Sequence, residues 1–203
     1  MGRPFGSPNE ATFQTRVLIH ALQLLEATDG PVLEDFPDDE PTTSGEQNGW
    51  ACPINFHRPS EALTGAAAIE SALLDEIAQF APWYDIAVKT RGRTTVGLSG
   101  LDLDEIAAFF ATMLEDSLPS SPSAEIPLAD VVRLAAEDLK AYFIEAASAQ
   151  PGDAGPQQLS DWFWHETVAA DTLRKMKQRC LAVNDSALNT VGRVLLVPYA
   201  QIA

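Results

Sequence analysis

The segment IPLADVVRLAAEDLKAYFIEAASAQ, residues 126–150, constrains this chain more than any other. Leu128, Val131, Val132, Leu134, Ala135, Leu139, Tyr142 and Phe143 recur at helical spacing and cover a face too broad for a helix lying on a surface. Such a helix belongs at the centre of a bundle, with other helices packed around it. The rest of the chain supplies them. In SPNEATFQTRVLIHALQLLEATDG, Ser7 is placed to cap, Pro8 suits a first turn, and Glu10 stands at the reciprocal capping position. Phe13, Val17, Ala21, Leu24 and Leu25 then follow at helical spacing as far as Gly30-Pro31. A second helix starts at Ser60 and presents Leu63, Ala67, Leu73, Leu74 and Ile77, with Pro82 expected to end or kink it. Asp102 and Glu105 form a capping pair for a third, whose inward side is Ile106, Phe109, Phe110 and Met113. Pro156 opens a fifth helix running on to Cys180, and Asp185 caps a sixth that contains the strand-like VLLV.

The expected fold is therefore all-α: one domain over 1–203, a bundle of about six helices, with an acidic loop and irregular segment at 31–59. Within that segment, residues 34–48 hold six acids, no base and two prolines, which marks a solvated loop. No apolar run reaches the roughly 18 residues of a membrane-spanning helix. MGRPFGSPNE lacks the apolar core of a secretory signal, so a cytoplasmic chain is expected. The net charge of −16 disfavours nucleic acid and anionic membranes as partners. Cys52 and Cys180 are the two cysteines and read as unpaired thiols.

Candidate functional residues are few. DWFWHET, 161–167, crowds Trp162, Phe163, Trp164, His165 and Glu166 together. If 159–180 is one helix, Glu166 shares a stripe with Leu159, Trp162, Phe163, Ala170, Leu173 and Cys180. A carboxylate there needs a partner, because burial disfavours its charge, and Arg91, Arg93 and Tyr142 are the candidates. His165 pairs with Asp161 one turn earlier in the plainer reading, in which the aromatics fill the core. TRGRTTVG contributes two guanidiniums, Arg91 and Arg93, with hydroxyls and flexible glycines, a chemistry suited to a carboxylate, a phosphate or an acidic partner surface. Cys52 with His57 is a candidate thiol–base pair. His20, His57 and His165 lack metal-site spacing, so no metal and no cofactor is expected.

GRPFGSPNEATFQTRVLIHALQLLEATDGPVLEDFP resembles a segment of proteins related to component B of the glycine/sarcosine/betaine/D-proline reductases. In those proteins a Gly-x-Pro-x-Gly-x-Pro segment leads into a helix rich in Arg, Leu and Ala. GWACP, GRTTVGLSG, DWFWHET and LLVPYAQ are similar to the C-terminal half of some bacterial members. That family's redox residue is a selenocysteine or cysteine in an α/β portion, and neither Cys52 nor Cys180 matches it. The resemblance implies an accessory domain that binds a small molecule or a reductase-like partner and is not catalytic alone. Trp50, Trp83, Trp162 and Trp164 would shape its pocket, and Glu166, His165, Arg91 and Arg93 would orient the ligand. Two other readings stand beside it: a cytoplasmic enzyme using Cys52 or Glu166, and a structural homo-oligomer.

Overall fold

The computed structural model describes residues 10–38, 50, 65–152 and 154–201, and among them every regular element is helical. The chain divides into two compact units, Met1–Glu46 and Gln47–Ala203.

The first unit contains α1 (Ala11–Gln23), extended by a 3-10 turn at Leu24–Glu26. Ser7 and Pro8, expected to start this helix, lie outside the described residues, and Glu10 at its first boundary makes no side-chain cap. Residues 31–38 return along α1. Phe36 sets its ring edge-on to Phe13 at 5.8 Å and to His20 at 5.4 Å. Arg16 pairs with Asp38 at 2.6 Å, and His20 lies 3.7 Å from Glu34. One face of α1 is thereby covered.

The second unit is the bundle. α2 (Ala66–Arg91), α3 (Leu103–Met113), α4 (Leu128–Ala147), α5 (Pro156–Glu166), α6 (Val168–Ala182) and α7 (Ser186–Val194) follow in order, with a 3-10 turn at Tyr199–Gln201. As its broad apolar face requires, α4 is central and packs against α2, α3, α5, α6 and α7. Asp102 and Glu105 cap α3 as expected, the Asp102 N–H donating to Glu105 Oε2 at 2.9 Å. Asp185 Oδ1 accepts from the N–H groups of Ala187 and Leu188, both at 2.9 Å, and VLLV ends a helix and begins the turn after it.

Two expectations are corrected in part. Of ending or kinking α2, Pro82 does not do the first: the helix, 26 residues in all, continues past it to Arg91. The proline is on the exposed side, and just upstream the Tyr142 hydroxyl donates to the Ile77 carbonyl at 2.6 Å, tying α2 to α4. The helix then stops at Gly92, whose φ of 68° is the left-handed conformation a glycine adopts without strain. Second, residues 156–182 are two helices and not one, giving seven α-helices among the described residues where about six were expected. Thr167, with φ −107° and ψ 146°, breaks them. Its hydroxyl donates to the Phe163 carbonyl at 2.7 Å and accepts from the Ala170 N–H at 3.0 Å, closing one helix and opening the next. Arg174 seals the same joint by donating to the Trp164 carbonyl.

The aromatics of DWFWHET are core. Trp162 is 2% exposed and lies 5.4 Å from Phe80, Phe163 sits 6.1 Å from Phe143, and Trp164 lies beneath the Arg174 guanidinium at 5.7 Å. On the far side of the bundle, α6 and α7 touch through Gly192. A Cβ there would lie 2.9 Å from Cys180 Cβ and 3.1 Å from the Lys177 carbonyl oxygen. Gly192→Ala gains about 1 kcal/mol of helix propensity but overpacks the contact at about 1–3 kcal/mol. The expected result is a net loss of about 1 kcal/mol in urea denaturation. Gly192→Leu, which adds bulk to the same contact, is expected to lose more.

Candidate functional site

The polar centre of the second unit is the loop between α2 and α3, residues 92–102, fastened to two acids on one face of α4. Asp138 and Glu145 are seven residues apart and so project from the same side of that helix, within the apolar stripe of Val131, Ala135 and Tyr142. Asp138 is fully buried. Its Oδ1 accepts from the N–H groups of Gly97 and Leu98 at 2.9 and 2.8 Å. Its Oδ2 accepts from the Ser99 N–H and hydroxyl at 2.8 and 2.6 Å. Successive N–H groups turned onto one carboxylate require an unusual backbone, and Gly97 supplies it with φ 114°. Two turns nearer the C-terminal end of α4, Glu145 accepts from the Thr95 N–H and hydroxyl at 2.9 and 2.7 Å and from the Thr94 hydroxyl at 2.9 Å. Tyr84 on α2 completes the row, its oxygen 2.8 Å from Thr94 Oγ1.

Glu145 is 7% exposed, and burial alone would raise its pKa. The hydrogen bonds from Thr95 and Thr94, with the Arg91 charge nearby, outweigh that and hold it below the usual glutamate value. A carboxylate with a lowered folded pKa adds stability above the unfolded value of about 4.3, and that contribution is lost as pH falls through the lower folded value. The stability difference between the native chain and Glu145→Gln is therefore expected to be constant near neutral pH and to shrink below pH about 4. Urea titrations across that range check it. Burial, opposed by the Thr94 contact, raises the Tyr84 phenol, so it is a neutral donor at physiological pH.

This clamp presents cations. Lys89, Arg91 and Arg93 lie within five residues on the exposed end of α2 and the start of the loop. Arg91 donates to the Ser148 hydroxyl at 2.6 Å, which steadies it against the end of α4, and Arg93 is exposed to solvent. Elsewhere on the bundle, Arg133, Lys140 and Arg174 pair with acids three residues away on their own helices.

A third buried acid works in the same way. Glu76 on α2 is fully buried, and its two oxygens accept from the N–H groups of Val168 and Ala169, both at 2.9 Å. It thus caps α6 from another helix, at the end where the helix dipole favours a negative charge.

The residues expected to bind fall in two places: Arg91 and Arg93 on the clamped loop, and Trp162, His165 and Glu166 on α5. The burial expected of Glu166 is corrected. It is the half-buried last residue of α5, because the stripe drawn through 159–180 is interrupted at Thr167. The acids set in apolar surroundings are Glu76, Asp138 and Glu145. His165 is exposed, and its Nδ1 lies 2.8 Å from the Asp161 carbonyl oxygen, while the Asp161 carboxylate accepts from Gln157 at 2.8 Å. Tyr142, a candidate partner for Glu166, is engaged with Ile77.

Among the tryptophans, Trp50 donates to the Ala147 carbonyl at 3.3 Å and meets Trp162 edge-on at 6.5 Å, and Trp83 is half-buried against the core. Cys52 and His57 lie outside the described residues. Cys180 is fully buried, and burial pushes its thiol up to about 11, the behaviour of a core side chain. Among the described residues no three His, Cys, Asp or Glu side chains group as metal ligands, and no helix is long and apolar enough to cross a membrane.

Fold and site together define a helical domain with a carboxylate-clamped cationic loop. Compared with known proteins, the chain matches no family model, no curated protein and no solved structure.

Proposed function

We propose that the chain is an accessory binding domain of a reductase-B-like system in the cytoplasm, not catalytic alone, and that Arg91 and Arg93 recognise an anionic group on a small molecule or partner. One observation carries this reading. Four hydrogen bonds on Asp138 and three on Glu145 hold a loop that starts between two exposed guanidiniums, Arg91 at the end of α2 and Arg93 at the loop's second position. A pre-ordered loop loses little entropy on binding, and guanidiniums match carboxylate or phosphate oxygens in pairs. The net charge of −16 does not cancel them, since solution charges are screened beyond about 8 Å at physiological salt. The three buried carboxylates are committed to backbone and hydroxyl donors, which supports binding over acid–base catalysis at those positions.

The test is a nitrogen-15 NMR titration of the whole chain with inorganic phosphate and with succinate. Saturable shifts at Gly92 to Val96 in the millimolar range are expected, abolished in the Arg91→Ala/Arg93→Ala double variant. Absent shifts, or shifts that survive the double substitution, contradict the reading.

A further inference from the structure

Phosphate sites are built from several donors at once, as a rule successive backbone N–H groups joined by hydroxyls, because the group carries oxygens on every side. The turn from Gly92 to Ser99 holds such donors, and the chain spends them on itself. The N–H groups of Thr95, Gly97, Leu98 and Ser99 and the hydroxyls of Thr95 and Ser99 all donate to Glu145 or Asp138. The Thr94 hydroxyl donates to Glu145 as well, the Val96 N–H to Thr94 Oγ1 at 3.1 Å, and the Gly92 N–H to the Val88 carbonyl at 2.8 Å. The nest that would close round a phosphate is thus filled by two carboxylates of α4. What the turn offers outward is guanidinium.

Arg91 is mounted for a narrower task. A guanidinium holds its five N–H groups in one plane and has two edges that each present a parallel pair. Its Nη2 nitrogen gives one N–H to each edge. Ser148 Oγ accepts one of them at 2.6 Å, which occupies one edge and leaves the other whole. Ser148 is itself fixed, because its hydroxyl proton goes to the Glu145 carbonyl at 2.9 Å, so toward Arg91 it acts only as an acceptor. The remaining edge is one pair of N–H groups on an exposed residue. Two coplanar oxygens satisfy that pair completely. A phosphate gains the same pair and leaves its further oxygens imperfectly matched, which costs affinity. We infer that this site takes a carboxylate in preference to a phosphate, with Ser148 as the positioning residue that sets the Arg91 fork. The carboxylate belongs to a small organic acid or to an acidic side chain of a polypeptide, since both present the same two oxygens.

This inference rests on the anion-binding function proposed above, and the two fail separately. Equal affinity for phosphate and carboxylate keeps the function and removes the inference, whereas no binding of either removes both.

The test is a nitrogen-15 NMR titration of the whole chain at neutral pH and fixed ionic strength, read at the Arg91 side-chain Nε–H as well as at the backbone. The probes are succinate, inorganic phosphate and a blocked Ala-Glu-Ala peptide. Succinate is expected to bind roughly fivefold more tightly than phosphate, about the worth of one net hydrogen bond, and to shift the Arg91 Nε–H. Ser148→Ala is expected to bring succinate affinity down to the phosphate level, and Ser148→Thr, which keeps the hydroxyl, to restore it. Circular dichroism matching the native chain confirms that both variants retain their helices. The peptide separates the sources: affinity equal to that of succinate supports an acidic side chain as the ligand, and weaker affinity supports a free acid. Phosphate binding as tightly as succinate, an Arg91 Nε–H that succinate does not move, or a Ser148→Ala variant with native succinate affinity each overturns the inference.

Discussion

Glu76→Ala is expected to lower stability by about 3–5 kcal/mol, the range found when one partner of a buried charged contact is removed. The N–H groups of Val168 and Ala169 would be left without their acceptor inside the protein, and no water reaches them, because both residues are fully buried. Each orphaned donor costs about 1–3 kcal/mol. Loss of the negative charge at the start of α6 adds up to about 2 kcal/mol in a buried geometry. For a chain of this size the sum corresponds to a fall in melting temperature of roughly 10 °C. Glu76→Gln separates charge from shape. It keeps the volume and one good acceptor, so about half the loss is expected. Differential scanning calorimetry of the three proteins at neutral pH gives the ordering native, Gln, Ala. An Ala variant within about 0.5 kcal/mol of native, the ordinary range for surface substitutions, would show that α6 does not depend on this cap.

Asp138→Ala is expected to lose about 2–4 kcal/mol, somewhat less than the Glu76 substitution although more hydrogen bonds are removed. The reason is solvent. Gly97 and Leu98 are exposed, so water replaces the carboxylate at their N–H groups, whereas Ser99 is 4% exposed and its N–H and hydroxyl are stranded. The effect is also local. With the clamp gone the 97–101 stretch loosens while α4 keeps its apolar packing, and anion-induced shifts at Arg91–Arg93 are expected to weaken because the turn is no longer held. Asp138→Ala thus links stability to function: loss of stability with unchanged phosphate shifts would mean that the clamp does not serve the cationic turn.

The sequence made the bundle legible because its helices are punctuated. The Asp102–Glu105 pair, Pro156 and Asp185 each mark a helix start that the structure reproduces, and the width of the apolar face at 128–143 placed α4 at the centre. The break at Thr167 is less visible, since threonine is tolerated within helices and its own hydroxyl contacts there are joined by Glu76 and Arg174, which lie far along the chain or in the next helix. The same joint explains Glu166. An acid among apolar neighbours must be paired, but Glu166 is not such an acid, because the helix that would align it with Ala170, Leu173 and Cys180 ends at Glu166 itself.

The rule points correctly to Glu76, set between Leu73, Ile77 and Phe80, and to Asp138 and Glu145, in register with Ala135 and Tyr142. Those positions carried the signal. Their partners were not readable, because the donors are mostly backbone N–H groups, which every residue has, some 40–90 positions away. Arg91 and Arg93 stood out as a pair, but their rigid mounting follows from acids on another helix.

Native-state amide hydrogen exchange at Thr95, Gly97, Leu98 and Ser99, compared between the native chain and Asp138→Ala, tests most directly whether buried carboxylates hold this loop for recognition. The account requires these four amides to be protected in the native chain, with those of Gly97, Leu98 and Ser99 released in the variant while the α4 amides stay protected. Exchange of all four at the rate of an unstructured peptide in the native chain would contradict it.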